Sequence, residues 1–413
     1  MITKTKVAIV GAGPSGLRAA AELAPALKGG VLVLDREAAP GGIPRHCHHP
    51  GYGIRDLHRF MTGPKYARLL SDRARQAGAD IVTHAMVTGW TGAGALCVTS
   101  PEGRYEVAAD AVILATGARE RPRSARRIPG DRPAGVYTTG QLQNLVYLHH
   151  RPERSRAVIV GGELVSWSAV LTLRHAGCRP VLMTTQYAAS EAYRLFTVAG
   201  GIGLRVPVAP RTKVVRVIGH GRVTGVEVED LQTGQRRVVE CDTVVFTGDW
   251  IPDHELARSA GIALDPATLG PSVDTRLRTD RDGVFAIGNL VHPVDTADCA
   301  ALDGAHVAEP VLGYLRGERT SGTPVPLVAG DAFAWVSPTR CVPGDVAPAR
   351  GFVLAWPTEV RKRPTIVARQ GGSEIGRVTT SYPVAPGRVY RIPWTLLAAV
   401  NPAGGTVTID LVR

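Results

Sequence analysis

The 413-residue sequence contains no apolar run approaching the about eighteen residues that a bilayer-crossing helix needs, which excludes such a helix. Its cysteines (Cys47, Cys97, Cys178, Cys241, Cys299, Cys341) are scattered, with no Cys-x-x-Cys and no metal-like clustering, so a redox-active vicinal disulfide has no support in the sequence. Aromatic residues make up only 5% of the chain and do not interleave with the dispersed arginines, so nucleic acid is not an expected partner. The N-terminus passes from Met1-Ile2-Thr3-Lys4-Thr5-Lys6 straight into Val7–Val10. It lacks the longer apolar stretch and cleavage site of a secretory signal, and a cytoplasmic location is expected.

What is present suits an ordinary globular protein of two or three domains, 44% hydrophobic and 20% charged. The 47 glycines and 30 prolines suit many tight turns. The net charge of +12 reads as a solvated basic surface, the functional alternative being attraction of an anionic substrate or of an acidic protein partner.

Strands alternate with helices in two successive stretches, which predicts parallel α/β sheets. The first has strands at Val7–Val10, Val31–Leu34 and Ala111–Ala115, a short helix at Leu17–Leu23 ending near Pro25, and a helix around Lys65–Gln76. An Arg- and Pro-rich crossover, Arg119–Pro133, leads to a second unit with strands at Ala157–Val160, Pro180–Met183 and Thr243–Thr247. Val284–Ile287 and a helix over Ala301–Leu315 follow, then many prolines and short alternating segments with almost no helix signal. The expected fold class is α/β: two nested Rossmann-like domains plus a small C-terminal all-β domain. The expected boundaries are 1–122 and 278–317 for the first domain, 123–277 for the inserted one and 321–413 for the β domain.

The strongest motif is Gly11-x-Gly13-x-x-Gly16 between a strand and a helix, with Asp35 closing the next strand. Gly11 permits the tight turn, Gly13 lets backbone approach a pyrophosphate, and Gly16 allows close helix–strand packing. Free N–H groups at the helix N-terminus attract phosphate, and Asp35 suits ribose hydroxyls. The paired glycines Gly41-Gly42 then allow a second loop to close over the pyrophosphate.

With Ile113-Leu114-Ala115-Thr116-Gly117 and Val284-Phe285-Ala286-Ile287-Gly288-Asn289, the sequence resembles the flavoproteins of the pyridine nucleotide-disulfide oxidoreductase superfamily over residues 5–317. The resemblance implies FAD along the first sheet, held by Gly11, Gly13, Pro14, Ser15, Gly16, Asp35, Arg36, Gly42 and Arg45. Val87, Ala115, Thr116 and Gly117 complete that set, and Gly288-Asn289 reaches the ribityl chain, with Asn289 where the superfamily usually has Asp.

The second turn, Gly161-Gly162-Glu163, departs from the pattern: Glu163 stands where the second glycine belongs, so bulk and charge both oppose a pyrophosphate. The next strand ends Met183-Thr184-Thr185-Gln186, with neither a ribose acid nor an arginine for a 2′-phosphate. Ordinary NAD(P)H binding is therefore expected to be lost, a shifted loop that still binds it being the opposing reading.

The sequence is similar to flavoprotein subunits of amine and amino-acid dehydrogenases and to glycerol-3-phosphate dehydrogenase-associated flavoproteins, the latter resembled especially by Gly41–Gly53, Thr62–Ala67 and Gly288–His292. That similarity implies oxidation of a small amine, amino acid or hydroxy compound by hydride transfer to FAD, with electrons passing to a partner subunit or another acceptor. The alternatives are an NAD(P)H-dependent flavin reductase and a non-catalytic flavin-binding subunit. His46 and Cys47, with His48 and His49, offer an acid–base pair, a redox thiol or a cofactor lining; no second group has metal-site spacing, and no metal is expected. His292, near Asp295 and Asp298, is the third catalytic candidate.

Overall fold

The computed structural model describes residues 2–92, 94–149, 156–192, 203–293, 296–318, 322–345, 347–348 and 350–412. By contacts the chain divides into two units: residues 1–45, 50–118 and 252–413 form one, and 46–49 with 119–251 the other.

The first unit is built on β1 (Ile2–Val10), α1 (Pro14–Leu27), β2 (Val31–Leu34), α2 (Gly63–Gln76), β3 (Asp80–Val82), β4 (Met86–Trp90), β5 (Leu96–Ser100) and β6 (Gly103–Leu114). The sheet order is β3-β2-β1-β6-β5-β4. β1 runs parallel to both β2 and β6, and Val7–Val10 are buried because a central parallel strand is covered on both faces.

Helix α1 begins with Pro14 at its first turn, where the missing N–H costs nothing, and buries Leu17, Ala20, Leu23, Ala24 and Leu27 along one stripe. It does not stop near Pro25, as the sequence predicts, but carries that proline inside. Packing of Leu23, Ala24 and Leu27 in the core outweighs the lost hydrogen bond, and Lys28 (φ 48°) and Gly29 (φ 83°) end the helix.

The second unit holds β7 (Val136–Thr138), α3 (Thr139–Tyr147), β8 (Arg156–Val160), α4 (Leu164–His175), β9 (Arg179–Thr184), β10 (Val208–Ala209), β11 (Thr212–Ile218), β12 (Gly225–Asp230), β13 (Arg236–Glu240) and β14 (Thr243–Phe246). Its parallel sheet has the order β7-β14-β8-β9-β10, while β11-β12-β13 form an antiparallel meander.

Residues 252–277, expected in the inserted domain, pack with the first unit instead. Leu256 in α5 (Glu255–Ser259), Ile262, Val273 and Leu277 lie in the same core as β1, and the Trp90 indole donates to the Leu256 carbonyl at 2.9 Å. β15 (Val284–Ala286) then pairs in parallel with the end of β6. The expected single terminal helix is two, α6 (Ala297–His306) and α7 (Ala308–Leu315), divided at Val307.

Among the described residues, the C-terminal part is all-β apart from one short 3-10 turn, with a five-stranded sheet and a three-stranded sheet over a core including Leu327, Val353, Ile366, Ile392 and Ile409. It keeps its own core yet belongs by contacts to the first unit. Arg276 donates twice to Asp345, Ser272 and Thr339 share a hydroxyl bond of 2.8 Å, and Arg350 pairs with Asp303.

The packing of α6 on α1 is set by Gly304, where a Cβ would stand 2.2 Å from the Ser15 carbonyl oxygen. Gly304→Val is accordingly expected to destabilise the first unit by about 1–3 kcal/mol, read as a lower urea midpoint. An unchanged midpoint would show that the two helices separate without cost.

Candidate functional site

The turn between β1 and α1 is shaped by backbone contact. Gly11 (φ 110°) leaves no room for a Cβ, which would lie 2.4 Å from the Ala115 oxygen, and a Cβ on Gly16 would lie 2.0 Å from the Gly11 oxygen. Above Gly13, by contrast, a Cβ meets nothing within 4 Å. No side chain caps the N-terminus of α1, and no acidic residue lies in its first turn. This arrangement fits a pyrophosphate: open space over the second glycine and unsatisfied N–H groups facing it.

Asp35 follows β2 and is buried. One carboxylate oxygen accepts from the Ala12 N–H at 2.6 Å and the other from the Glu37 N–H at 2.8 Å. Burial pushes its carboxyl above the ordinary value, with those two N–H groups pulling it back. Each oxygen keeps a further lone pair for a ribose hydroxyl. The Ala85 N–H donates to the Asp35 carbonyl, so the chain entering β4, which contains Val87, runs beside Asp35.

The second glycine loop closes on the first. Gly41 donates to the Ala12 carbonyl at 2.8 Å, and a Cβ on Gly42 would stand 2.9 Å from Gly13 Cα. Arg45 bonds the Ala39 carbonyl and pairs with Glu37 at 3.1 Å, so it braces the loop. Arg36 is largely exposed, 3.7 Å from Asp253. Thr116 donates to the Asp253 carbonyl at 2.8 Å, Gly117 accepts from the Asp253 N–H, and Ala115 bonds Val10.

Gly288 (φ 68°) opens a short 3-10 turn, Gly288–Leu290, that contains Asn289. A Cβ on Gly288 would meet Ser15 Oγ at 2.7 Å, which brings this late motif against the first turn. The Gly288 N–H donates to Asp303 Oδ2 at 3.1 Å, and His292 Nε2 lies 2.6 Å from the same oxygen. Arg350 Nη1 donates to Asp303 Oδ1, and all three side chains are buried.

Burial alone would raise the Asp303 carboxyl; the Arg350 guanidinium, then His292 and the Gly288 N–H, outweigh it and hold it well below the usual carboxylate range. An ionised Asp303 only accepts, so His292 Nε2 carries the hydrogen between them. His292 Nδ1 has no partner among the described residues, and in the neutral ring this nitrogen presents a lone pair. Asp298 accepts from Arg55, and Asp295 lies outside the described residues.

The other two catalytic candidates group with the second unit. Cys47 is buried and donates to Gln143 Oε1 at 3.1 Å, and Gln143 in turn donates to Ser168 at 2.7 Å. His46 is buried, and His48 stacks on Tyr147 with ring centroids 4.0 Å apart. All six cysteines are free thiols, and among the described residues no group of three or more potential ligands can hold a metal ion.

The second turn is occupied by the chain itself. Glu163 precedes α4, half-buried, and its carboxylate oxygens would lie 2.4 Å from a Cβ on Gly248. Glu191 folds back so that its Oε2 would lie 2.3 Å from a Cβ on Gly162. Burial first, then the charge of Glu191, pushes the Glu163 carboxyl up to about 8, with Arg126 opposing. Burial raises Glu191 and Glu120 as well. Arg126 is fixed by donating to the Thr247 and Gly248 carbonyls at 3.0 and 2.7 Å, and Glu120 accepts from the Gly140 and Gly248 N–H groups. Gln186, at the expected ribose position, is exposed. Glu191, Glu120, Arg126, Asp303 and Arg350 carry no motif and were not legible as site residues.

Comparison with known proteins agrees with the first turn's geometry. The family model described as pyridine nucleotide-disulphide oxidoreductase matches residues 5–304. Thioredoxin reductase of Treponema pallidum (strain Nichols) is 27% identical over 323 residues, covering 76% of this chain and 98% of that protein. The ferredoxin–NAD(+) reductase component of the benzene 1,2-dioxygenase system of Pseudomonas putida is 30% identical over 45% of this chain and 44% of its own length. An opine oxidase subunit of Rhizobium meliloti is 26% identical over 73% of this chain and 60% of its own length. In fold, the crystal structure of T. acidophilum thioredoxin reductase superposes with a TM-score of 0.63 at 23% identity, covering 76% of this chain and 99% of that one. The chain belongs to the pyridine nucleotide-disulphide oxidoreductase family and is an FAD-dependent oxidoreductase.

Proposed function

We propose that this oxidoreductase removes hydride from a carbon bearing an amine or hydroxyl group, passes the electrons to a partner subunit or another acceptor, and uses no nicotinamide at its second turn. The observation that carries this reading is the filling of that turn by Glu163 and Glu191. A pyrophosphate must approach the backbone where these two side chains pack. The opine oxidase of Rhizobium meliloti, among the relatives, supports an amine-type donor by its name.

Bound FAD supplies the two-electron acceptor. The chain's own groups would hold it: the turn around Gly13 and the N-terminus of α1 at the phosphates, Asp35 at the ribose, and the Gly288 turn at the ribityl side. His292 Nδ1 would take the proton that leaves the donor's N–H or O–H as hydride leaves carbon.

NAD(P)H-dependent flavin reduction is the second reading, and the names of the relatives weigh towards it more than towards amine oxidation. The structure also weakens one objection to it. With its carboxyl at about 8, Glu163 is largely neutral at pH 7, so the repulsion expected from its charge is small there, while its bulk remains. A non-catalytic role gains no support from relatives named as enzymes.

Anaerobic titration of the purified holoprotein separates the two readings. The oxidised flavin band is expected to persist with NADH and NADPH and to bleach with an amine, amino acid or hydroxy acid. Stoichiometric bleaching by either nicotinamide would establish the reductase instead.

A pH dependence of folding stability follows from Glu163. The folded protein keeps this proton to about pH 8, whereas the unfolded chain releases it near the ordinary value of 4.5. The folded state therefore binds more protons, and this residue costs increasing stability as pH rises through that window. The Tm difference between Glu163→Gln and the parent is expected to shift in the variant's favour from about pH 5 to about pH 8 and level off above it. A pH-independent difference would mean that the carboxyl titrates normally.

A further inference from the structure

The β domain lies beyond residue 304, where the family match ends, yet one of its side chains enters the FAD-binding unit. Arg350 is 2% exposed at its side chain, and each of its three nitrogens is committed. Nε donates to the Phe352 carbonyl at 3.2 Å and Nη2 to the Ser337 carbonyl at 3.4 Å, both on strands of the three-stranded sheet. Nη1 reaches Asp303 Oδ1. The other Asp303 oxygen holds the Gly288 N–H at 3.1 Å and His292 Nε2 at 2.6 Å. Asp303 thus joins the β domain to the turn that abuts Ser15 in the glycine motif.

We propose that Arg350 is a positioning residue for the FAD site, acting through Asp303 on the Gly288–His292 turn, so that the β domain completes the flavin site. A planar guanidinium anchored on two β strands fixes the carboxylate in one orientation. That orientation aims one oxygen at the backbone N–H of a glycine in left-handed conformation, and so sets where the turn stands against Ser15. Without the guanidinium, Asp303 keeps a buried charge with less compensation and is free to rotate or draw in water, either of which moves the Gly288 N–H. The inference rests on FAD binding alone and is independent of the electron donor.

The test is FAD affinity of the full-length protein, measured by flavin fluorescence on rebinding to deflavinated samples, with far-UV circular dichroism to confirm folding. Arg350→Met is expected to weaken FAD binding by about tenfold or more, and Arg350→Lys to recover part of the loss. Asp345→Asn is the control. It removes the Arg276–Asp345 pair, which also ties the β domain to the unit but does not touch the Gly288 turn, and it is expected to leave affinity near the parental value. A folded Arg350→Met with parental affinity would overturn the proposal. So would an equal loss in Asp345→Asn, which would assign the effect to attachment in general. Should Arg350→Met fail to fold, Asp303→Asn carries the test, and parental FAD affinity there would equally sink the proposal.

Discussion

The first unit depends on glycine positions where the chain approaches its neighbours more closely than a Cβ permits. Three separated glycines meet around a single stretch of chain: Gly16 against the Gly11 carbonyl, Gly288 against the Ser15 hydroxyl and Gly304 against the Ser15 carbonyl. The β1–α1 turn, the late 3-10 turn and α6 are drawn into one cluster because none of these positions carries a Cβ. Such close packing leaves little room for the segments to shift against one another. The proposed site draws on residues 11–16 and 288–292, which these contacts bring together.

The second unit repeats the strand–turn–helix geometry with an opposite outcome. Gly161 (φ 131°) packs on Thr247 much as Gly11 packs on Ala115, so the turn keeps its shape. Two positions on, Glu163 brings a carboxyl into the space, and Glu191 brings a second from beyond β9. Burial pushes both towards the protonated form, and the charge of Glu191 raises the Glu163 carboxyl further. Arg126 offsets part of this charge while its fork is occupied by the carbonyls of Thr247 and Gly248. The same fold therefore supports a dinucleotide turn in one unit and a self-filled turn in the other.

A buried charge pair is among the contacts that tie the C-terminal part to the remainder of the first unit. Its sheets have their own hydrophobic core, and polar contacts join them to the remainder: Arg276 with Asp345, Ser272 with Thr339, and Arg350 with Asp303. Polar contacts of this kind demand defined partner geometry, whereas apolar ones accept small slides. A domain attached in this way transmits its position to the residues it touches.

The sequence alone determined the class of each element and the chemistry of the first turn. Alternation of apolar strands with helices, the spacing Gly11–Gly13–Gly16, the closing Asp35 and the intrusion of Glu163 are local patterns, and local sterics enforce them wherever the chain folds. The proline-rich, helix-poor stretch after Gly317 was legible as a β domain for the same reason. The tertiary structure alone decided that α1 runs through Pro25, that residues 252–277 pack with the first unit, and that Cys47 bonds Gln143 within the second unit. It alone brought Glu191 over Gly162 and Arg350 onto Asp303, across 29 and 47 residues of chain (191 − 162 and 350 − 303). These outcomes turn on burial and long-range contact, where the free energy of packing exceeds the local preference that a sequence displays.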